Sequence, residues 1–260
     1  MSLEHIETQQ GKFRAIADKI RNYTVETGII IPNTFDDKID EVYEAGRRLQ
    51  YDTYWDIKQN YGNRKDWRYA FLSAEGCETD ETLRPKYDIE CTYAESMFYG
   101  LSQVTKLKKG FDGEEDLQID TSKVVIASWM FFNMKKLIEL PPLDFSSVTY
   151  SQGAFYNCNS LTKLHLTVSE NTVFNDATFY GCSALDDLKI NGVIGKDADF
   201  SHCVSLSGST ILMEIMANLK DYRGTGTTHT LVLGEKLIER LLSHYHLAIF
   251  EAIEKGWEVV

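Results

Sequence analysis

The chain of 260 residues carries 27 Lys plus Arg against 39 Asp plus Glu, a formal net charge of -12. This balance argues against a nucleic-acid-binding protein, because phosphate contacts need a basic surface, and against docking on anionic lipid. Hydrophobic residues make up 43% and charged residues 25%, which are ordinary globular values and exclude wholesale disorder. Only 4 Pro accompany 14 Tyr and 13 Phe, an aromatic content that is unusual for a helical enzyme.

The cysteines and the chain ends point to a reducing compartment. Five cysteines occupy positions 77, 91, 158, 182 and 203. An odd number cannot close a full set of disulfides, and no C-x-x-C pair suggests zinc or redox chemistry, so we interpret them as buried, reduced thiols. No apolar run is long enough for a membrane helix, and the N-terminal segment has no signal-peptide pattern. We expect a soluble protein made in a cytoplasm, without membrane insertion.

The first 50 residues predict two short helices. The first has an apolar stripe formed by Phe13, Ile16, Ala17 and Ile20, which follow the i, i+3, i+4, i+7 spacing. The second is expected to begin near Pro32 and to end near residue 49. Helices this short are marginal alone. We therefore predict that residues 1–50 form a helical anchor or oligomerisation segment.

Residues 51–92 are rich in aromatic side chains and turn signals. Trp67, Tyr69 and Phe71 alternate, a pattern that predicts a half-buried strand. An aromatic cluster of this kind is either a platform for stacking sugars or the core of a small subdomain, and we favour the core. The expected unit is an aromatic-rich subdomain over residues 51–92.

A repeat begins at Phe98 and governs residues 93–206. Each copy starts with Phe and places further apolar residues at intervals of three. The five copies are Phe98, Leu101, Val104, Leu107; Phe131, Met134, Leu137, Leu140; Phe155, Cys158, Leu161, Leu164; Phe179, Cys182, Leu185, Leu188; and Phe200, Cys203, Leu206. In the third and fourth copies an L-x-L or L-x-I pair marks a strand. Periods of this length predict a leucine-rich-repeat solenoid, in which stacked coils share one core.

The form F-x-x-C-x-x-L-x-x-L resembles the BspA-like (Treponema-type) leucine-rich repeats. Segments 154–161 and 178–185 carry the resemblance most clearly. In such a stack Cys158, Cys182 and Cys203 are expected to lie one above the other in the interior, so we do not predict that they bind metal.

After Leu206 the pattern changes to helices and short strands. Ser207 or Ser209 can begin a helix, a short strand follows at residues 231–233, helices are predicted at about 235–243 and 246–255, and a strand closes the chain. Residues 207–260 are thus expected to cap the open end of the solenoid. The predicted fold class is α+β: an N-terminal helical segment and aromatic subdomain, a short BspA-like leucine-rich-repeat solenoid, and a C-terminal α/β cap.

The two ends of the chain are similar to tail-associated proteins of bacteriophages and prophages. The residues that carry this similarity are Ile16–Arg21, Gly28, Pro32, Phe35, Lys38 and Ile39; Tyr51–Asp56, Gln59, Gly62, Arg64, Ala70 and Phe71; Pro85–Asp88; and Lys255–Val259. In such proteins these blocks flank BspA-like repeats. Residues 23–27 depart from the pattern, because relatives have a shorter charged turn there.

Catalytic signatures are missing from the sequence. Gly224-Thr225-Gly226 begins like a dinucleotide loop, but it lacks the preceding strand and following helix that a phosphate cradle needs. The acidic run Asp112–Asp116 lacks the ligand order of an EF-hand, and His244 and His246 have no third ligand in view. We therefore predict no enzyme activity, no catalytic residue, no cofactor and no metal site.

The resemblance implies a structural protein of a phage virion, in the tail, the baseplate or a tail fibre. It would form a homo-oligomer, with a trimer as one expected state, and would assemble with other phage structural proteins. Its repeats would contact a host-surface glycan or protein. Tyr150, Tyr156 and Tyr180 are the candidate contact residues, since Tyr is enriched in recognition surfaces; the alternative is that they only cover the edges of the coils. Two other functions stay open: a bacterial BspA-like adhesin or binding module, and a tail-associated glycan hydrolase.

Overall fold

The computed structural model describes residues 67–68, 70–71, 82–83, 85, 88–109, 115–175, 177–206 and 209–260. All of them belong to one compact unit, Asn60–Val260. The predicted N-terminal helices, most of the predicted aromatic subdomain, Cys77, Ser207 and the acidic residues 112–114 lie outside the described residues.

Ten strands and three helices form the described part of the chain. The strands are β1 (Thr82–Leu83), β2 (Ile89–Glu90), β3 (Lys106–Leu107), β4 (Ile119–Asp120), β5 (Leu143–Asp144), β6 (Lys163–Val168), β7 (Asp187–Gly192), β8 (Ala198–Asp199), β9 (His229–Val232) and β10 (Trp257–Val259). The helices are α1 (Ser209–Ala217), α2 (Glu235–His244) and α3 (His246–Glu254).

Every pair of these strands is parallel. The sheets have the orders β1-β3, β2-β4, β5-β6-β7 and β10-β9-β8. In the longest ladder Lys163 lies opposite Asp187, and Glu139 forms a parallel bridge with Lys163. Partners are thus 24 residues apart along the chain, so each strand pairs with the strand one repeat later. Parallel pairing between successive copies is what stacked coils require.

A column of aromatic rings runs through the core. Phe98, Phe131, Phe155, Phe179 and Phe200, the first residue of each repeat, are all buried. Their ring centroids are 5.2, 5.6, 5.6 and 5.3 Å apart in that order. Offset stacks at such distances add attraction to the area that each ring buries. The remaining repeat positions, from Leu101 to Leu206, are buried around this column.

The column continues toward the N-terminus through Phe71 and Trp67. Phe71 stacks on Phe98 at 4.9 Å, and Trp67 stacks on Phe71 at 5.8 Å. The strand predicted from the alternation of residues 67, 69 and 71 is wrong for the described residues, because the amide of Ala70 donates to the carbonyl of Trp67 and closes a turn. The turn places the rings of Trp67 and Phe71 on the same side of the chain. A strand would also place residues 67 and 71 on one side, but farther apart along the chain.

Several strands end at an aspartate that caps its own turn. Asp120, Asp144 and Asp199 are the last residues of β4, β5 and β8. Each accepts a hydrogen bond at Oδ1 from the amide of the serine two residues later, at 3.0, 2.9 and 2.8 Å. Asp is depleted within strands and favoured in such turns. These side chains therefore keep the strands short and turn the chain toward the next side of the coil.

The C-terminal residues extend the stack with β9 and β10 and cover it with helices. β9 lies between β8 and β10. Arg240 of α2 donates to the carbonyls of Val204 and Leu206 in the last repeat, at 3.1 and 3.0 Å. Trp257 is buried and donates from Nε1 to the carbonyl of Lys220 at 2.8 Å. These contacts fix the C-terminal elements to the repeats.

Candidate functional site

A second row of aromatic rings runs along the outside of the repeats. It consists of Tyr99, Phe132, Tyr156, Tyr180 and His202, and we call it the aromatic row. Successive centroids are 4.5, 4.9, 4.7 and 4.2 Å apart. The first four members directly follow the core Phe of their repeat, so the same coil geometry that stacks the core also stacks this row.

Stacking limits what the aromatic row can bind. Tyr156 lies between Phe132 and Tyr180, so both of its ring faces are covered by neighbouring rings. Sugars and planar ligands are recognised chiefly through open ring faces. The row therefore offers ring edges and the hydroxyls of Tyr99, Tyr156 and Tyr180. Tyr180 is the most open of the five, with 41% of its surface exposed.

A separate apolar surface lies at another corner of the coils. It is formed by Val125, Ile126, Trp129 and Tyr150, and we call it the Trp129 patch. Ile126 and Tyr150 are partners in a parallel bridge, and the amide of Trp129 donates to the carbonyl of Gln152 at 2.9 Å. All four side chains are exposed, Tyr150 to 64% and Trp129 to 38%. A cluster of this composition is typical of recognition surfaces, in which Trp and Tyr dominate the binding energy.

The backbone of Trp129 is in the left-handed region, with φ of 54°. The same conformation occurs at this position in the preceding and following copies, where Ser96 and Gly153 have φ of 52° and 63°, but Trp129 is the bulky residue among the three, and a bulky residue with positive φ is strained. Gly153 of the next repeat makes room for this ring: a Cβ atom on Gly153 would lie 2.2 Å from Trp129 Cδ1. The sequence thus supplies a glycine that holds the indole against the coil, where an ordinary residue would displace it.

The three predicted contact residues divide between these two surfaces. Tyr156 and Tyr180 stack on each other in the aromatic row, with centroids 4.7 Å apart. Tyr150 belongs to the Trp129 patch. Trp129 was missed by the sequence argument because residues 125–130 are all apolar except Ser128, so the pattern does not show which of them are exposed. The available signal was the position two residues before the core Phe. Trp129 stands there in the copy of Phe131, and Gly153 stands there in the copy of Phe155.

The cysteines of the repeats lie in the interior. Sγ of Cys158 donates to the carbonyl of Phe131, and Sγ of Cys182 to that of Phe155, both at 3.1 Å. Burial raises the pKa of Cys182 to about 12 and holds the pKa values of Cys158 and Cys203 well above the usual value of a thiol. These thiols are therefore protonated and poorly nucleophilic at neutral pH.

The exposed face of the long sheet carries alternating charge. Glu139, Lys163 and Asp187 are successive partners across β6 and β7, so a cation lies between two carboxylates. His165 Nε2 lies 3.5 Å from Asp187 Oδ1. Within the described ranges, no group of three or more His, Cys, Asp and Glu side chains is arranged to hold a metal ion. Nor does any helix there combine the length and apolarity needed to cross a membrane.

Parallel coils, a Phe column and repeated apolar anchors define a short leucine-rich-repeat domain. Residues 113–222 match the family model described as BspA type leucine rich repeat region, in six copies. The matched segment begins after the copy at Phe98 and extends past Leu206 through α1. No curated protein and no solved structure matches the chain.

Proposed function

We propose that this protein is a non-catalytic binding module that recognises a surface molecule, a protein or a glycan, through the Trp129 patch. The observation that carries the proposal is the strained and exposed Trp129, accommodated by Gly153. Exposing a Trp in a left-handed conformation costs free energy, of the order of 1–2 kcal/mol for the backbone alone. A binding role explains why such a residue is kept on the surface. The match of residues 113–222 to BspA type repeats supports a surface-binding role.

The Trp129 patch is better suited than the aromatic row to form the centre of the contact. Its rings do not stack on one another, whereas Phe132 and Tyr156 in the aromatic row have a stacked ring on both faces. Thr149, next to Tyr150, and Gln152, two residues after it, add neutral hydrogen-bonding groups without adding charge. Apolar rings surrounded by neutral polar groups fit a sugar face or a mostly uncharged protein surface.

The test compares Trp129→Ala and Tyr150→Ala with Val193→Ala, a matched control at another exposed apolar residue. The probes are a glycan array and immobilised bacterial cell envelopes. We expect the wild type and the control to bind alike, and each patch variant to bind at least about tenfold more weakly, as for hot-spot residues. Equal binding by all four proteins, with unchanged circular dichroism, would refute the role of the patch.

Two biological settings fit such a module. The BspA type repeats support an adhesin-like protein on a bacterial surface. The resemblance of residues 16–71 and 255–259 to phage tail-associated proteins supports a virion structural protein, in the tail, baseplate or tail fibre, which would assemble with other phage proteins as a homo-oligomer. Immunogold labelling of both induced phage particles and intact cells separates them. Label on tails supports the virion, label on cells supports the adhesin, and label on neither contradicts both.

We also propose that the module has no hydrolase activity. The thiols of the repeats are buried and protonated, and the exposed charges of the long sheet alternate in sign across the strands. Neither arrangement supplies an activated nucleophile. Incubation of the purified protein with bacterial cell wall should release no reducing sugar. Release that is lost on substitution of a pair of carboxylates would establish the glycan-hydrolase alternative instead.

A further inference from the structure

The indole of Trp129 is fixed at one edge, and no ring or charge covers its faces. A Cβ atom on Gly153 would lie 2.2 Å from Cδ1 and 2.4 Å from Nε1, but 3.5 Å from Cγ. A position above the ring would be nearly as close to Cγ as to Cδ1, so Gly153 lies beyond the Cδ1–Nε1 edge. Among the described residues, no aromatic ring stacks on Trp129 and no cation lies over it. The patch therefore contains a rigid, flat platform with room on its faces.

Polar groups in and beside the patch are not used by the fold. Four neutral groups form no hydrogen bond within the described part of the chain: Nε1 of Trp129, the hydroxyls of Thr149 and Tyr150, and the side-chain amide of Gln152. Tyr150 and Gln152 are exposed, and Thr149 is half-buried. Together these groups supply both donors and acceptors without any charge. They are available to a ligand that carries hydroxyl groups.

The two coils that carry the patch are uncharged over long stretches. Residues 124–134 and 145–162 contain no Asp, Glu, Lys, Arg or His, although charged residues make up 25% of the chain. The second stretch contains four serines and no arginine. In protein–protein interfaces Arg is enriched and Ser is depleted. The composition of these coils therefore favours a glycan over a protein as the partner.

The charges that come next in the repeats disfavour an acidic glycan. The repeat position of Gln152 holds Glu95 two copies earlier and Asp176 in the next copy. Lys123 is the cation nearest to the patch along the chain, and it pairs with Glu90 at 3.5 Å. An acidic sugar would thus meet a surface without a cation of its own, on a chain with a net charge of -12. The ligand that fits this surface is neutral.

We infer that the Trp129 patch binds a neutral polysaccharide of β-linked hexoses by stacking one sugar ring on the indole. This inference rests on the proposed function and names the class of its ligand. A β-linked glucose or galactose has a ring face of C–H groups and hydroxyls around its rim. The C–H groups carry small positive partial charges, which the negative face of an aromatic ring attracts. The rim hydroxyls pair with the unused groups of Trp129, Tyr150 and Gln152.

The first experiment measures affinity for β-linked oligosaccharides of glucose and of galactose, and for the same chains with each primary hydroxyl oxidised to a carboxylate. The variants Trp129→Phe and Trp129→Leu are matched, because each keeps an apolar side chain at the same positive φ but only Phe has a ring face. We expect the wild type to prefer a neutral chain over its oxidised form at least about tenfold, Trp129→Phe to keep part of the affinity, and Trp129→Leu to lose at least about tenfold. Binding of neither neutral chain, equal binding of a neutral and an oxidised chain, or equal affinity of the two variants would each overturn the inference.

The second experiment separates this inference from the proposed function. Bacterial cell envelopes are treated either with periodate, which cleaves the vicinal diols of sugars, or with a protease, and binding of the wild type and of Trp129→Ala is then measured. We expect the binding that depends on Trp129 to be lost after periodate and kept after the protease. Loss after the protease alone would overturn the glycan ligand and leave the role of the patch intact. Equal binding of the wild type and Trp129→Ala to untreated envelopes would contradict the proposed function itself.

Discussion

Residues with positive φ recur at two positions of the repeat, of which the first, two residues before the core Phe, is occupied by Ser96, Trp129 and Gly153. Two residues after the core Phe stand Gly100, Asn133, Asn157 and Gly181, with φ of 81°, 60°, 57° and 77°. Gly and Asn are the residues that adopt this conformation most easily. The conformation directs each amide along the stack, so that Asn157 N–H donates to the carbonyl of Tyr180 in the next repeat at 2.7 Å. One position of the repeat therefore serves both the turn and the contact between coils.

Substitution of Asn157 should separate these two effects. Asn157→Ala places an ordinary residue at φ of 57° and removes the hydrogen bond from Nδ2 to Asn133 Oδ1, which is 2.9 Å long. We expect a loss of about 1–2 kcal/mol in the free energy of unfolding. Asn157→Gly keeps the conformation and should lose about half as much. Asn191→Ala, at an exposed strand position, is the control and should change little; urea unfolding measures all three. A loss for Asn157→Ala no larger than that of the control would contradict this explanation.

The pair formed by Trp129 and Gly153 predicts energetic coupling. Gly153→Ala meets two penalties, a positive φ of 63° and a Cβ atom 2.2 Å from the indole. Gly224→Ala meets only the first, because φ is 74° and nothing lies within 4 Å of its Cβ position. We expect Gly153→Ala to cost clearly more than the roughly 1 kcal/mol of Gly224→Ala.

A double-mutant cycle checks the origin of that difference. In a Trp129→Ala background the indole is absent, so the cost of Gly153→Ala should fall to that of Gly224→Ala. Thermal unfolding of the four proteins gives the coupling energy. If the excess cost persists without the indole, Gly153 is needed for a reason other than room for Trp129.

At the scale of the element, the thiols line one side of the Phe column. Cys158 and Cys182 donate to carbonyls of the preceding repeat, and Cys203 is buried at the same repeat position. Burial raises the pKa of Cys182 from 9.0 to about 12. In the unfolded chain the thiol ionises near pH 9, whereas in the folded chain it stays protonated. The folded state therefore binds more protons between these values, and stability is lost as the pH rises from about 9 to 12.

Cys182→Ala should remove this contribution. Above pH 9, the free energy of unfolding of Cys182→Ala should fall less steeply with pH than that of the wild type. The two slopes should differ by up to about 1.4 kcal/mol per pH unit. Below pH 9 the two curves should run parallel, because the thiol is then protonated in both states. Asn191→Ala should keep the slope of the wild type. Parallel curves over the whole range would mean that Cys182 ionises equally in both states.

The sequence predicts some elements well and others poorly, for physical reasons. The Phe, Cys and Leu anchors repeat in one dimension, so spacing alone reveals them, and these residues are buried. The aromatic row and the Asn and Gly positions also repeat, but their roles in ring stacking and in the left-handed turn become visible only in the stacked coils. Helix α3 has large apolar residues on its exposed side as well, so periodicity cannot tell which side faces the domain. Its direction is set by the close packing that Ala248 and Ala252 allow.

On the scale of the whole molecule, a shared register makes the middle coils interchangeable. Glu139, Lys163 and Asp187 occupy one row at intervals of 24 residues, and Ile126 with Tyr150 and Phe174 with Ala198 keep the same interval. Each repeat contacts mainly its neighbours, so stability is approximately a sum of repeat and interface contributions. Removal of one whole interval should therefore leave a shorter protein with the same fold.

Deletion of residues 163–186 tests this expectation, because it joins Thr162 to Asp187 and moves β7 into the place of β6. Glu139 would then face Asp187, and like charges opposite each other destabilise a sheet, so the deletion is combined with Asp187→Lys. We expect circular dichroism of a folded protein, one cooperative transition and a free energy of unfolding lower by a few kcal/mol, since one coil interface is lost. Without the lysine, stability should fall by a further fraction of a kcal/mol, up to about 1 kcal/mol. Deletion of residues 163–182 is the control: it shifts β7 by four positions against the coil before the junction and should prevent these two coils from stacking. If both deletions fold equally well, the register of the stack does not determine its stability.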